Sequence, residues 1–299
     1  MKKILFLVAV SILALSCGKT ETPQPSSSGS KYQKYAKENE IKIMSFNIRT
    51  SSMDDDTPNH WDNRKEAVLA LIKDQMPDIM GVQEATYTDQ WKWLKDKLKS
   101  SGYDGYGLNR QTGKESGAGE CPGILYNTKV IKMIDVGTFW LSETPDTPSK
   151  GWGARYYRTA TWGLFKHIPT DKEFFYINTH LDHEVEKAQI EGMTLISKKF
   201  QEYKGKMPLF LTGDLNVEAT HKALEAIRGY MNNARQTANK KDSYGTTNGF
   251  EFDTKTQKID HIYYSKELKN PVEYYTIRDT YNGVKFVSDH YPIYAIIKL

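Results

Sequence analysis

The segment Leu209-Phe210-Leu211-Thr212-Gly213-Asp214-Leu215-Asn216 holds the most informative pattern in the chain. Its first three residues are apolar and predict a short, buried β-strand. A glycine and two polar side chains follow where that strand should end. An Asp or Asn after a strand is usually a turn residue whose side chain caps its own backbone. Alone, the segment therefore predicts a strand and a turn, and a functional role needs support from elsewhere.

The same arrangement recurs along the chain, with chemically capable side chains at the ends of short apolar runs. These side chains are Asn47, Glu84, His180, Asp214, Asn216, Asp260, Asp289 and His290. Groups that follow neighbouring strands can converge on one rim of a sheet. So many of them are harder to explain as turn residues than any single one, and they predict a shared site.

Most of the chain alternates between short apolar runs and segments with helical periodicity. Runs rich in Ile, Val, Phe or Tyr predict strands at 41–46, 79–82, 123–126, 174–178, 209–211, 259–264 and 293–297. Helical spacing predicts helices at 61–75, 90–98 and 185–200. Strands interspersed with helices favour an α/β architecture with strand layers inside and helices outside. The stretch 102–120 contains six glycines, which predicts a mobile loop beside an active site.

The identity and order of these polar side chains resemble the endonuclease/exonuclease/phosphatase superfamily, which includes deoxyribonuclease I, abasic-site endonucleases, inositol polyphosphate phosphatases and bacterial sphingomyelinases. The resemblance covers residues 40–299, where we find neither a second linker nor a repeat, so we expect one domain. It implies a four-layer α/β sandwich, with two mainly antiparallel sheets packed face to face and helices outside. It also implies metal-dependent hydrolysis of phosphate esters.

The metal ligands that the resemblance implies are Glu84, Asn47 and Asp289. A phosphate ester is an anion that repels nucleophiles, so a hard divalent cation with oxygen ligands is the expected device for its hydrolysis. We expect Mg²⁺, with Mn²⁺ able to substitute, and Glu84 as the first ligand. Asn47 is expected beside it, where it positions the metal or a phosphoryl oxygen. Asp289 either faces the metal through water or only caps its turn.

The catalytic roles implied by the resemblance belong to Asp214, Asn216, Asp260, His290 and His180. Asp214 is expected to orient the attacking water, while Asn216 holds a phosphoryl oxygen or the nucleophile. Asp260 is expected to pair with His290 and so to fix its tautomer and raise its basicity. Family mechanisms use this histidine as a general base or as a protonated stabiliser of charge, and both roles stay open. His180 is expected to donate to a non-bridging oxygen.

Some other polar residues support weaker predictions. Arg158 is expected at the start of a strand, where it could clamp a second phosphate oxygen or form a surface salt bridge. His183 or Asp182 could touch the substrate. The run Asp54-Asp55-Asp56 fits a solvated loop better than a second metal site.

The remaining histidines are interpreted as non-catalytic. Three of them have no partner pattern in the sequence, and these are His60, His167 and His221. His261 follows Asp260 and should face the opposite side of the same strand, so we exclude it.

Composition and charge narrow the function. With 38% hydrophobic and 26% charged residues, the chain is globular, neither disordered nor fibrous. Its formal net charge is +4, and Lys2 and Lys3 supply two of these charges. A nuclease that grips long nucleic acid presents a strong basic face, and the sequence contains no dense run of Lys or Arg. We therefore favour a phosphomonoesterase or phosphodiesterase acting on a small sugar phosphate, inositol phosphate or phospholipid head group.

Two alternatives stay open. The first is a secreted nuclease with a basic groove flanked by aromatic residues. The second is a non-catalytic binding module, which would not need both the Asp260–His290 pair and the Asp214-x-Asn216 motif. Arg49 occupies the position where the abasic-site branch has an acidic residue, which argues against DNA repair. The segments 59–64 and 137–142 instead resemble an uncharacterised bacterial branch of the superfamily.

The N-terminus predicts an exported, lipid-anchored protein. Lys2 and Lys3 precede an apolar run at 4–15, so residues 1–16 are interpreted as a signal peptide. Cys17 follows a small residue, as in the lipobox of bacterial lipoproteins, and is the expected lipidation site. Residues 17–39 form the lipidated Cys and a Ser/Pro/Thr-rich flexible tether. We expect a monomer at a bacterial membrane, periplasmic or on the cell surface.

Overall fold

The computed structural model of the protein describes residues 35–53, 57–251 and 257–299. The predicted signal peptide, Cys17, residues 18–34 of the predicted tether and the run Asp54-Asp55-Asp56 lie outside these ranges. The predictions made for them therefore stay predictions. Within the described ranges, no helix is both long and apolar enough to cross a membrane.

The described residues form thirteen strands and five α-helices. The strands are β1 (Glu40–Asn47), β2 (Ile79–Gln83), β3 (Tyr103–Tyr106), β4 (Gly123–Asn127), β5 (Ile131–Trp140), β6 (Thr159–His167), β7 (Lys172–His180), β8 (Leu209–Asp214), β9 (Met231–Asn233), β10 (Lys240–Lys241), β11 (Asp260–Ser265), β12 (Glu273–Thr276) and β13 (Ile293–Lys298). The helices are α1 (Trp61–Gln75), α2 (Lys92–Lys99), α3 (Glu186–Gln201), α4 (Glu225–Arg228) and α5 (Ala234–Thr237). A π-helical turn at Tyr87–Trp91 leads directly into α2.

The strands form two sheets, and each sheet has a pair of parallel strands near its centre. The first has the order β10-β12-β13-β1-β2-β4-β3, and the second has the order β5-β6-β7-β8-β11-β9. The parallel neighbours are β1–β2 and β10–β12 in the first sheet and β7–β8 in the second, and the other neighbours are antiparallel. Parallel neighbours need a crossover connection, which α1 supplies between β1 and β2 and α3 supplies between β7 and β8.

Three apolar clusters separate the layers. Between the sheets, Ile43 and Ile79 of the first sheet share a cluster with Phe174 and Phe210 of the second. The helices α1 and α2 pack on the outer face of the first sheet, and α3 packs on the outer face of the second. Each fully buried apolar side chain of this kind stabilises the fold by roughly 1.5–3 kcal/mol. The predicted four-layer sandwich of two mainly antiparallel sheets is therefore confirmed.

A buried polar network fixes the position of one sheet on the other. Asn178 Oδ1 on β7 accepts hydrogen bonds from Gln83 Nε2 on β2, at 2.7 Å, and from Thr212 Oγ1 on β8, at 3.1 Å. Asn178 Nδ2 donates to the carbonyls of Val82 and Gly123 in the first sheet. Because buried polar groups lose free energy without partners, this network allows little sliding between the sheets.

Some sequence predictions of the elements were incomplete. The three predicted helices are present within one or two residues of their predicted ends, and the strand expected to begin at Arg158 is β6. Five strands were missed: β3, β5, β9, β10 and β12. The stretch 102–120 includes β3, and the rest of it forms hydrogen bonds of its own. Asn109 Nδ2, for example, donates to the Ser116 carbonyl at 2.9 Å, while the mobility predicted for this loop stays a prediction.

Candidate active site

Two of the parallel strand pairs, β1–β2 and β7–β8, carry four polar side chains to one rim. Asn47 is the last residue of β1, and Glu84 follows directly after β2, its parallel neighbour. His180 and Asp214 are opposite each other at the ends of β7 and β8. Because the polar network aligns the two sheets at this level, the four side chains meet between the sheets.

Asn47 connects the two sheets at this rim. Its Nδ2 donates to Glu84 Oε1 at 2.8 Å and to Asp214 Oδ2 at 3.0 Å. Its Oδ1 accepts from the Arg49 amide at 3.0 Å, which fixes the orientation of the side chain. One amide thus holds two carboxylates of opposite sheets close together, although like charges repel each other.

Glu84 lies in a backbone conformation with a φ of 63°, uncommon for a residue with a side chain. Its Oε2 accepts from the Thr50 amide at 3.1 Å. Burial opposes its charge, but attraction to His290 and the hydrogen bonds from Asn47 and Thr50 hold its pKa below the ordinary value. Glu84 therefore carries a fixed negative charge at neutral pH.

Asp214 is the central carboxylate of the site. Its Oδ1 accepts from the Asn216 amide at 3.0 Å, while Oδ2 lies 3.6 Å from His180 Nε2 and 3.8 Å from His290 Nε2. Burial and repulsion from Asp260 raise its pKa to about 7. The carboxyl can therefore exchange a proton near neutral pH.

Asn216 and Asp260 are the neighbours that complete this part of the site. Asn216 Nδ2 donates to the Leu181 carbonyl at 3.0 Å, which fixes its amide at the pocket wall. Asp260 is the first residue of β11 and lies opposite Asp214 on β8. Its Oδ2 lies 2.8 Å from His290 Nδ1, so the predicted pair is present.

The two site histidines differ in charge. Burial opposes the charge of His290, but Asp260 and Asp214 outweigh it and raise its pKa well above the ordinary value. Burial lowers the pKa of His180 well below the ordinary value, and the nearby Arg158 and Arg110 lower it further. At neutral pH His290 is protonated and His180 is neutral.

Asp289 bonds to Arg49 and not only to its own turn. Its Oδ2 lies 3.3 Å from Arg49 Nη1, and its Oδ1 accepts from the Ser288 hydroxyl at 3.2 Å. Burial raises its pKa, and Glu84 nearby adds to this rise. Asp289 therefore lies near Glu84, the predicted first ligand of the metal.

These residues line a pocket of about 430 Å³. Its lining includes Glu84, His180, Asp214, Asn216, Asp289 and His290. It also includes Arg49, Arg110, Glu120, Tyr156, Arg158 and His183. The stretch 102–120 thus borders the candidate site, as predicted.

Arg158 lies inside this pocket and not on the surface. Only 4% of its side chain is exposed, its Nη2 lies 2.8 Å from His183 Nδ1, and its Nε lies 3.7 Å from Asp182 Oδ2. Its Nη1 has no hydrogen-bond partner among the described residues. The surface salt bridge that we considered for Arg158 is therefore wrong, while the clamp on a phosphate oxygen stays open.

The donor set fits a divalent cation. Glu84, His180 and Asp214 each offer one ligand atom, and these atoms lie within 4.8 Å of one another. Asp214, Asp260 and His290 form a second such group, but His290 Nδ1 is already bonded to Asp260. The carboxylates of Glu84 and Asp214 in the first group, together with the oxygens of Asn47 and Asp289, are the hard ligands that Mg²⁺ or Mn²⁺ prefers.

The other predicted residues have structural contacts. Asp182 Oδ1 accepts from the amides of Glu184 and Val185, just before α3. His261 contacts Val217 and Asn233 away from the pocket. The histidines that cap or contact local turns are His60, His167 and His221.

The pocket residues that were not predicted include Arg49, Arg110, Glu120 and Tyr156. Arg110 and Glu120 lie in a glycine-rich loop, and Tyr156 lies in the loop before β6. A charged residue in a loop gives no sequence signal that separates it from a surface residue. A buried pair ten residues apart becomes visible only once the loop is folded.

Comparisons with known proteins agree with this geometry. The Endonuclease/Exonuclease/phosphatase family model matches residues 44–290. A mannosyl-6-phosphatase of Bacteroides thetaiotaomicron is 33% identical, with a TM-score of 0.81, and the match covers 87% of this chain and 100% of that chain. An endonuclease/exonuclease/phosphatase from Bacteroides vulgatus is 33% identical, with a TM-score of 0.80, and the match covers 87% of this chain and 99% of that one.

A curated relative from a virus extends the comparison. An uncharacterized protein of Acanthamoeba polyphaga mimivirus is 26% identical over 265 residues, which cover 80% of this chain and 92% of that protein. The family match spans the candidate site from β1 to His290. The protein is thus a hydrolase of phosphate esters, and this chain belongs to the endonuclease/exonuclease/phosphatase family.

Proposed function

We propose that this protein is a Mg²⁺-dependent phosphomonoesterase whose substrate is a small sugar carrying one phosphate group. The observation that carries this proposal is the charge pattern of the pocket, where each lining arginine lies beside a carboxylate. The pairs are Arg49–Asp289 at 3.3 Å, Arg110–Glu120 at 2.7 Å and Arg158–Asp182 at 3.7 Å.

Such pairing suits a substrate with one phosphate and a neutral remainder. A protein that holds a nucleic acid strand neutralises several phosphates with Lys or Arg, which requires excess positive charge beyond the reaction centre. Here the arginines are balanced by carboxylates, so the wall offers hydrogen bonds with little net charge. The pocket volume of about 430 Å³ is in the range for small-molecule sites. The name of the 33% identical mannosyl-6-phosphatase supports the same substrate class.

The metal would be held by Glu84, with Asn47 and Asp289 beside it. When bound, a divalent cation supplies positive charge that offsets the charge of the phosphate and polarises a phosphoryl oxygen. Asn47 would keep Glu84 and Asp214 in place through its two hydrogen bonds.

The attacking water would be oriented by Asp214 and Asn216. With a pKa of about 7, the Asp214 carboxylate can accept a proton from that water near neutral pH. Because His290 is protonated, it is suited to stabilise the negative charge of the transition state, and this supports the second of its two expected roles. His180 is neutral and can donate one N–H to a non-bridging oxygen.

Arg158 would clamp another oxygen of the phosphate. Its Nη1 carries N–H groups that no described residue accepts, and its Nη2 is fixed by His183. A guanidinium held in this way is suited to a phosphate with several free oxygens, which favours a monoester over a diester.

A substrate panel tests the proposal. We would compare mannose 6-phosphate and other hexose phosphates with inositol phosphates, sphingomyelin, plasmid DNA and RNA, each with Mg²⁺, Mn²⁺ or a chelator. We expect the highest kcat/KM for a hexose monophosphate with Mg²⁺ and no turnover with the chelator. Faster cleavage of DNA or RNA than of any monoester would contradict the proposal.

We also propose that Cys17 is lipidated and that the protein is anchored to the outside of a bacterial membrane. The support is the sequence pattern of residues 1–39. Cys17→Ala should move the protein from the membrane fraction to the soluble fraction of the expressing cells. An unchanged distribution would refute the lipid anchor.

A further inference from the structure

Arg110 and Glu120 form an ion pair on the wall of the pocket that also holds the catalytic groups. Arg110 Nη1 lies 2.7 Å from Glu120 Oε2, and Arg110 Nη2 donates to Glu120 Oε1 at 2.8 Å. The exposed fractions of the two side chains are 7% and 14%. Both residues line the pocket, so the pair can touch whatever the pocket holds.

The backbone holds this pair at a fixed distance from Glu84. Glu120 forms a β-bridge with Thr86, and the next residue, Cys121, donates its amide to the Ala85 carbonyl at 2.7 Å. The Arg110 amide donates to the Glu120 carbonyl at 2.8 Å. The pair is therefore tied to the segment that directly follows Glu84, as a preorganised recognition site requires.

The pair keeps hydrogen-bonding capacity that the protein does not use. Arg110 Nε is buried and has no hydrogen-bond partner within the described part of the chain. Each oxygen of a carboxylate such as Glu120 can accept more than one hydrogen bond. Arg110 Nη2 carries two N–H groups and donates one of them to Glu120 Oε1, so the other can serve a ligand oxygen at this wall.

Tyr156 adds an apolar surface beside the pair. Its ring is 38% exposed, lines the pocket and lies 6.0 Å from the Arg110 guanidinium. On another side it stacks on His183, with ring centroids 5.7 Å apart. Charged hydrogen-bonding groups next to an aromatic ring match the two kinds of surface on a sugar, its hydroxyl groups and its C–H groups.

We propose that Glu120 and Arg110 recognise ring hydroxyl groups of the substrate's sugar, while Tyr156 covers C–H groups of the same ring. Glu120 accepts from one hydroxyl, and Arg110 donates to a neighbouring hydroxyl oxygen. A second phosphate fits less well, because Glu120 neutralises the charge of Arg110 and its carboxylate would repel the anion. This inference rests on the proposed function and assigns recognition of the sugar ring to this part of the pocket.

The test compares two substrates that share a primary phosphate ester and differ in ring hydroxyls. These are mannose 6-phosphate and cyclohexylmethyl phosphate, which has a six-membered ring without hydroxyls. In Glu120→Gln, we expect the ratio of their kcat/KM values to fall at least about tenfold relative to the wild type, since a hydrogen bond to a charged group is lost. Arg110→Lys should lower the ratio in the same direction. Glu115→Gln, an exposed position of the same loop, should leave both substrates unchanged.

Equal losses of kcat/KM on both substrates would mean that the pair only supports the fold. Unchanged kcat/KM values for both substrates would mean that the pair contacts no hydroxyl. Either result overturns the inference. Calorimetric titration with mannose 6-phosphate separates this from a failure of the proposed function. If the wild type hydrolyses neither substrate, tight binding that Glu120→Gln weakens at least about tenfold upholds the recognition site. Equal binding by both proteins, or no binding by either, overturns it.

Discussion

At the scale of single residues, one carboxylate has two neighbouring histidines, of which one is protonated and the other is neutral. Asp214 Oδ2 lies 3.6 Å from His180 Nε2 and 3.8 Å from His290 Nε2. His290 also bonds to Asp260, and two carboxylates overcome the cost of burying its charge. His180 instead lies near Arg158 and Arg110, which add to the effect of burial. The side chains around each imidazole decide whether it can stabilise negative charge or only donate a hydrogen bond.

The charge of His290 leads to a prediction for its removal. In His290→Ala, kcat/KM for a hexose monophosphate should fall at least about a hundredfold, the low end for a residue that stabilises charge or transfers a proton. Steady-state kinetics with saturating Mg²⁺ measure this loss. His221→Ala is the matched control, since His221 caps a turn and contacts Glu186 outside the pocket. Turnover within a few-fold of the wild type would remove His290 from the mechanism.

The same scale separates what could be predicted from the sequence from what could not. Asn47, Glu84 and Asp214 lie next to strands with a clear apolar pattern, so their convergence could be anticipated. Arg110 and Glu120 have no such neighbours, and their role depends on how a loop folds back on itself. The position of Arg158 was predicted, but its burial could not be, since it depends on α3, Asp182 and His183 packing around it.

At the scale of elements, the contact between β2 and the second sheet is unusually close at Gly81. An ideal Cβ at this position would overlap Asn178 Oδ1 and Thr212 Oγ1, the two groups that link the sheets. Gly81 is therefore required because two sheets approach each other here, although its φ is not positive. This approach brings Glu84, just after β2, and Asp214, the last residue of β8, within hydrogen-bonding distance of Asn47.

Gly81→Ala tests this close approach. The added methyl must push Asn178 or Thr212 away and break hydrogen bonds, so the free energy of unfolding should fall by at least about 2 kcal/mol. Urea denaturation measures the change. Gly229→Ala is the control, because nothing lies within 4 Å of its ideal Cβ, and its stability should change by less than about 1 kcal/mol. Equal stability of the two variants would show that the sheets can accommodate an added methyl group at Gly81.

Elements with a strong apolar pattern were predictable, and the others were not. The predicted strands that became β1, β2, β4, β7, β8, β11 and β13 form the centres of the two sheets. The missed strand β5 carries exposed or half-buried residues along most of its length, so its apolar pattern is diluted. The others, β3, β9, β10 and β12, have at most four residues, too few to show a period.

At the scale of the whole molecule, folding concentrates negative charge between the two sheets. Glu84 comes from the first sheet, Asp214 and Asp260 come from the second, and Asp289 precedes β13. Burial, together with repulsion from neighbouring carboxylates, raises the pKa values of Asp214 and Asp289. The chain brings these carboxylates together only in the folded state. A cation that binds there should therefore stabilise the folded protein, independently of catalysis.

Thermal unfolding with Mg²⁺ tests this coupling without measuring turnover. At about 100 times its Kd, a ligand that binds only the folded state adds about 2.7 kcal/mol, which corresponds to a rise in Tm of roughly 5–10 °C for a domain of this size. Glu84→Gln should lose at least half of that rise, because it removes the negatively charged ligand. Na⁺ at matched ionic strength and Glu115→Gln separate this effect from general screening and from surface charge. The same rise in Glu84→Gln and the wild type would place the cation away from Glu84 and remove this residue as the metal ligand.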